Sequence, residues 1–322
     1  PGFVDVHAHG GGGASFITDH PDEARQVLAT NRQHGTTTMV ASLVTGARED
    51  LRRQLGCLAG LVEAGELAGI HLEGPWLAPE RRGAHAQEFL RDPDLAQVAE
   101  LLAAGRGTVR LVTIAPERPG ALAAIEFLHS RQIVVACGHT DADAATCRDA
   151  IAAGATGATH LFNAMPPLHH RAPGPVLALW QDSRVYLELI VDPSHLDLEL
   201  VSFVVATHPD RVVFITDAMA AAGAGDGDYQ LGSLPVQVRE SVARIAGSST
   251  IAGSTLTLDR AVRQAAGAGV PLVQALHAVT QTPSDYLGLT HVGRLAPQHR
   301  ADLVVLDAEL SVARVMQGGV WQ

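Results

Sequence analysis

Lysine is absent from the 322 residues, and all 23 basic side chains are arginine. This excludes a Schiff-base lysine, the lysine of a phosphate-binding P-loop and a carbamylated lysine bridging two metals. Cysteine is scarce as well: Cys57, Cys137 and Cys147 show no metal-ligand spacing and outline no disulfide framework, which points to a reducing, cytoplasmic setting. Positive charge is outweighed, with a formal net charge of -11. No nucleic-acid partner is expected, because tracking a phosphate backbone needs a basic face. No apolar run is long enough to span a bilayer, and the start lacks the charged, apolar and cleavable regions of a signal peptide, so no membrane partner is expected either. A G-x-G-x-x-G turn opening a helix is also missing, and Gly10–Gly13 reads instead as a tight loop.

What is present is alternation. Runs rich in Val, Ile, Thr and Leu occur at 3–8, 36–43, 69–72, 109–114, 133–137, 157–160, 185–190 and 211–215, with helical segments between them. Amphipathic stretches such as 22–34, with Ala24, Val27 and Leu28 on one face, and 141–153, with Asp141 as a helix cap, supply the other half of each βαβ unit. The expected fold is α/β, a (β/α)8 TIM-like barrel. After the eighth run come a Gly-rich loop (221–227), strand-like pieces around 234–245, and helical stretches at 255–266 and 271–279, the latter opened by Pro271. Strands at 301–307 and 312–316, with Gly318-Gly319 as a turn, read as part of a small β-sandwich domain. Residues 1–298 form the barrel in this division and 299–322 the C-terminal strands of the small domain. The chain opens at Pro1 without an initiator Met and enters its first strand at once, so upstream sequence completing that domain is expected.

In a parallel barrel the active site gathers at the carboxyl ends of the strands. His7 and His9 end the first run, Glu73 the third, His139 the fifth, His160 the sixth and Asp217 the eighth. Residues two apart on a strand share a face, so His7 and His9 both point into the barrel, where two imidazoles can grip one cation. Each histidine alone reads as a buried or surface residue; strand ends offering only metal-compatible groups read together as a metal site. A His/Glu/Asp set without thiolate favours Zn²⁺, with Fe²⁺, Mn²⁺ or Co²⁺ as alternatives. Such an ion lowers the pKa of bound water and polarises a carbonyl. Asp217 is the carboxylate placed to move protons.

His7-Ala8-His9, the segment from His71 to Trp76, Gly138-His139-Thr140, the segment from Thr159 to Met165 and Thr216-Asp217-Ala218 together resemble the amidohydrolase superfamily. Within it they are similar to the N-acetylglucosamine-6-phosphate deacetylases. The resemblance spans Pro1 to about Gly319 and implies deacetylation of N-acetylglucosamine 6-phosphate to glucosamine 6-phosphate and acetate, a step of amino-sugar catabolism and recycling. It assigns Glu73, His139 and His160 to the principal metal, Asp217 to general base and then acid, and His85 to polarising the acetamide carbonyl. His7 and His9 with a bridging Glu73 imply room for a second ion, one or two per subunit. Ala84, Asn163 and the backbone at Ala164 are implied to contact the sugar, and Arg171 and His195 the phosphate, with His195 supplied across a homodimer interface. An Arg fork suits a phosphate dianion, and Arg81, Arg82, His169 and His170 are further candidates for a locally basic pocket.

From the residues alone, Arg171 in a turn-rich stretch reads as a solvated arginine, and Trp76 and Trp180 read as packing before sugar stacking. The remaining histidines, among them His20, His34 and His277, fall away from the strand ends. Two rivals stand beside the deacetylase: another amidohydrolase, such as a deaminase or a cyclic-amide hydrolase, and a non-catalytic barrel kept as a scaffold.

Overall fold

Strands covered by helices on their outer face and packed around a filled interior are buried on both sides, which explains their near-continuous apolar runs. The computed structural model describes residues 1–322. Its central sheet joins Phe3–Ala8 (β1), Thr36–Leu43 (β2), Gly69–Glu73 (β3), Val109–Ile114 (β4), Val134–Cys137 (β5), Gly157–Ala158 (β6), Tyr186–Ile190 (β7) and Val212–Ile215 (β8), all parallel and in sequence order. Each strand is followed by a helix: Pro21–Gln33 (α1), Arg48–Glu63 (α2), Leu95–Ala104 (α3), Ala121–His129 (α4), Ala144–Ala153 (α5), Gly174–Gln181 (α6), Leu198–Thr207 (α7) and Leu258–Gly267 (α8). Leu272–Ala278 (α9) and Gln281–Tyr286 (α10) complete the helices. This is the expected (β/α)8 barrel. It closes between β8 and β1 beyond the regular ladder, through Asp217 N–H donating to His7 O at 2.9 Å and His9 N–H to Ala218 O at 2.8 Å. The closing seam thus sets Asp217 beside the two histidines of the first strand.

Local chemistry accounts for the helix starts. Asp94, Asp143 and Asp197 cap α3, α5 and α7, each accepting a backbone N–H at 2.8–3.0 Å, a contact worth about 1 kcal/mol. The cap of α5 is therefore Asp143, not Asp141, and the helix begins at Ala144; Asp141 instead pairs with Arg81 at 2.7 Å. Pro271 stands at the N-cap of α9, just ahead of the first helical turn.

Between β8 and α8 the chain inserts an antiparallel sheet of Gly227–Leu231 (β9), Leu234–Arg239 (β10) and Val242–Ile245 (β11), so Gly227 begins a strand where the sequence reads as loop. The tail forms a second antiparallel sheet, Leu303–Leu306 (β12), Val312–Gln317 (β13) and Val320–Trp321 (β14), turning at Gly318 and Gly319, both with positive φ. Gly2 N–H to Asp302 O at 2.9 Å and Gln317 Nε2 to Thr37 O at 2.8 Å tie this sheet to the barrel. No helix is long and apolar enough to cross a membrane.

Cys137 and Cys147 are buried, and burial pushes the Cys147 thiol up to about 12. Cys57 is half-buried, and its thiol is raised by burial and then by Asp19. A thiol must ionise to be alkylated. Titration of the native protein at pH 8 is therefore expected to count one slowly reacting thiol, rising to three on unfolding; fast labelling of all three in the native state contradicts the packing.

Candidate active site

The residues that end the barrel strands turn sharply there. His139, His160 and Asp217 all have positive φ (48°, 30° and 47°), a region non-glycine residues enter at some cost and which concentrates at functional sites. The turn at His160 also explains why β6 stops at Ala158, short of the sequence run. These kinks aim the three side chains back across the barrel mouth, toward Glu73 from β3.

Glu73 is the hub. Its Oε1 lies 3.2 Å from Nε2 of both His139 and His160 and 3.5 Å from Nε2 of His7; its Oε2 lies 3.1 Å from His9 Nε2 and 3.5 Å from His85 Nε2. Asp217 Oδ1 faces Nε2 of His9 at 3.1 Å and of His7 at 3.5 Å. Two ligand sets converge, His7, His9, Glu73 and Asp217 in one and Glu73, His139 and His160 in the other, all buried and sharing Glu73.

The outer edges of the rings show which nitrogen faces inward. Nδ1 of His9 rests 3.1 Å from Ser42 O, and Nδ1 of His139 2.8 Å from Arg81 O. A carbonyl only accepts, so each Nδ1 carries hydrogen and each Nε2 is the nitrogen turned into the cluster. Nε2 of His139 and His160 stand 3.0 Å apart, and His7 Nε2 is buried without a hydrogen-bond partner. Burial pushes the His9 imidazole down, yet hydrogen bonds and charge from Asp217 and Glu73 lift it to about 9. Burial favours protonation of Asp217, but the charge of His7 and the hydrogen bond from His9 hold its carboxyl at about 2. The cluster thus calls for positive charge at the inward nitrogens, and a divalent cation bound there would replace the protons of His7 and His9. The donor set fits a metal.

Above the cluster opens a cavity of ≈ 270 Å³, reached by Glu73, His9, His139, His160 and Asp217 and walled on its apolar side by Val44, Ala84, Ile190, Leu231 and Ile251. The inserted sheet supplies Leu231. His85 enters with the opposite polarity from the other rings: Thr45 N–H donates to its Nδ1 at 3.2 Å, so its Nε2 carries the hydrogen. Burial, then the charge of His139, lowers its pKa to about 4. At neutral pH it is a neutral donor aimed at the cavity. His195 is oriented by Asp192, whose carboxylate oxygens lie 2.9 and 3.0 Å from its Nδ1; burial opposes protonation, but this partner raises the imidazole's pKa overall.

The sequence model of the amidohydrolase family matches residues 1–321. The chain belongs to the amidohydrolase family. Among relatives of this amidohydrolase, the N-acetylgalactosamine-6-phosphate deacetylase of Escherichia coli O157:H7 is 37% identical over 321 residues, covering 98% of this chain and 85% of that one. The N-acetylglucosamine-6-phosphate deacetylase of Homo sapiens is 36% identical over 339 residues, covering 100% and 83%. In structure it is similar, with TM-score 0.97 and 51% identity, to an Asp-to-Ala variant of N-acetyl-D-glucosamine-6-phosphate deacetylase from Mycobacterium smegmatis in complex with N-acetyl-D-glucosamine-6-phosphate, covering 100% and 86%.

Most residues singled out in the sequence meet at this amidohydrolase site: Ala84, Asn163, Ala164 and Arg81 line the cavity with the groups above. His7 sits one layer beneath it, fully buried. Two placements differ from expectation. His195 lines the cavity of its own chain, so no partner subunit is needed to bring it there, whereas Arg171 is exposed, outside the cavity, with its guanidinium against His170. Arg82, His169 and His170 do not line the cavity either. Trp76 is fully buried and Trp180 packs edge-on against Phe162 and Phe203, so both are packing. Gly10–Gly11 pair with Ala14–Ser15 in a hairpin tied to Ala218 and Ala220, near the cluster but not lining the cavity.

Sequence reasoning missed the polar layer under the two candidate ligand sets. Glu188 lies 3.2 Å from His7 Nδ1, and His71, edge-on to His7, is held by Ser42 Oγ at 2.9 Å and Thr113 Oγ1 at 2.8 Å. The available signal was polar residues at inward positions of otherwise apolar strands.

Proposed function

We propose that this chain hydrolyses the acetamide of N-acetylglucosamine 6-phosphate, giving glucosamine 6-phosphate and acetate, with Glu73, His139 and His160 holding the principal divalent ion and His7, His9 and Asp217 room for a second. The observation that carries this reading is the juxtaposition, over one shared carboxylate, of two ligand sets with a neutral donor, His85, and a carboxylate, Asp217, around one cavity. The ion, Zn²⁺ in our reading, would acidify water and polarise the acyl oxygen. His85 Nε2–H donates to the oxyanion that develops on the acetyl group. Asp217 accepts the proton of the attacking water and delivers it to the departing nitrogen. Asn163 and the backbone at Ala164 orient the sugar, and His195, held by Asp192, meets the phosphate.

A phosphate held by both His195 and Arg171 requires the exposed 169–172 loop to close over the cavity or a second subunit to lend the arginine, and we retain the homodimer on that ground. In this reading residues 1–298 are the catalytic barrel, 299–322 belong to a small β domain, and the protein works in amino-sugar catabolism in the cytoplasm. The 37% identity to a galactosamine-type deacetylase supports a second substrate, the 4-epimer, for the same chemistry.

The test is acetate release from both phosphorylated sugars and from unphosphorylated N-acetylglucosamine, with metal-loaded and chelated protein. Metal-dependent release from a phosphorylated sugar alone supports the reading; release from the unphosphorylated sugar at equal efficiency removes the phosphate role of His195 and Arg171. Replacing His85 by Phe is expected to lower kcat by roughly 10²–10³-fold, the usual effect of losing one oxyanion donor, with metal content unchanged by elemental analysis.

A further inference from the structure

We propose that Glu188, braced by Tyr286, is a positioning residue for His7: it holds the Nδ1 edge of the imidazole so that Nε2 alone faces the metal cluster. This deepens the metal reading above and rests on it. Glu188 does not line the cavity.

Glu188 occupies the middle of β7 between Leu187 and Leu189 and is completely buried. A carboxylate in a barrel interior is costly unless it is paired and hydrogen-bonded. Its Oε2 lies 3.2 Å from His7 Nδ1, and its Oε1 accepts from the Tyr286 hydroxyl at 3.2 Å. His7 is its one ion-pair partner. His9 and His139 achieve the same presentation of Nε2 by resting Nδ1 on backbone carbonyls. His7 uses a carboxylate instead, which fixes the ring and adds negative charge behind a ligand, strengthening it toward a cation. On its other side His7 meets His71 edge-on, with ring centroids 4.5 Å apart, and both nitrogens of His71 are already engaged by Ser42 and Thr113.

The brace is built across elements. Tyr286 comes from α10, and its hydroxyl enters where β6 has Gly157: a Cβ there would stand 1.9 Å from the hydroxyl oxygen. A glycine in β6, a tyrosine in α10, a glutamate in β7 and a histidine in β1 therefore converge on one imidazole edge. Filling the core would require only an apolar side chain at 188.

The test compares parent, Glu188→Leu, Glu188→Gln and Tyr286→Phe, each stripped of metal, by Zn²⁺ titration with elemental analysis, thermal melting, and imidazole ¹⁵N–¹H spectra of His7. We expect Glu188→Leu to fold but to melt below the parent, since His7 Nδ1 and the Tyr286 hydroxyl lose their acceptor, to weaken one of two ions about 10–100-fold while the other is retained, and to lose the hydrogen-bonded Nδ1–H resonance of His7. Glu188→Gln, which still offers an oxygen to Nδ1, should recover part of the affinity, and Tyr286→Phe should show a smaller loss at the same ion. Unchanged affinity and an unchanged His7 resonance in Glu188→Leu overturn the proposal. So does an equal weakening of both ions, which marks a structural role; if the Leu variant does not fold, the Gln variant decides on the same readouts. A parent that binds no Zn²⁺ removes the metal reading, while the His7 resonance still reports whether Glu188 holds the ring.

Discussion

Asp217→Asn is expected to lower kcat by roughly 10²–10⁴-fold, the range of a lost general acid-base group, with KM changed far less. The geometry separates Asp217 from Glu73, the other carboxylate of the histidine cluster. Both oxygens of Glu73 are engaged, by five imidazoles between them, whereas Asp217 meets His7 and His9 through Oδ1 alone and leaves Oδ2 without an ion-pair partner. An oxygen free of the cluster can take a proton from water and pass it on. Its backbone is fixed by the donation of its own N–H to His7 O and by Ser254 N–H to Asp217 O at 2.7 Å, contacts that Asn preserves. Asn also preserves the volume and one carbonyl oxygen toward His9, so the variant should remain folded and metal-bound. Steady-state kinetics on N-acetylglucosamine 6-phosphate with metal content measured on the same sample decides it: unchanged turnover sinks the proton role, and loss of metal in proportion to activity reassigns Asp217 to ligation alone.

The barrel was legible because its information is periodic and local. Eight apolar runs, each followed by an amphipathic stretch, allow few topologies once parallel strands need helical crossovers. The same periodicity made His7, His9, Glu73, His139, His160 and Asp217 readable, since a polar residue that ends a barrel strand has one place to go. Legibility failed where position depends on loops or on several elements meeting. Nothing in the chain order shows that Asp192 turns His195 into its own cavity, or that Arg171 stays outside it. Asp141 and Asp143 are equally good caps by composition, and the choice fell to Asp143 while Asp141 took Arg81 as its partner. Glu188 was visible as a lone acid in an apolar strand, but its meaning required His7 and Tyr286, distant by 181 and 98 residues.

Glu73→Gln should have the largest effect of any single substitution here: loss of both bound ions together and a fall in turnover of roughly 10⁴-fold or more, since the acidification of water from a pKa of about 16 toward 7 goes with the metal. The carboxylate is the one ligand shared by the two sets. Replacing His139 or His160 removes a donor from one set, and replacing His9 from the other, so each of these should spare part of the metal. Gln keeps the shape of Glu73 but brings no charge, and its amide nitrogen points hydrogens at imidazole edges that need a cation. Four inward Nε2 atoms, two of them 3.0 Å apart, then face one another with Asp217 as the sole remaining acid. Chelation of the parent should reach the same inactive state reversibly, with metal restoring activity, whereas metal added to Glu73→Gln should restore none. Retention of one full ion in that variant, measured by elemental analysis after gel filtration, means that Glu73 serves a single site and is not a ligand common to both.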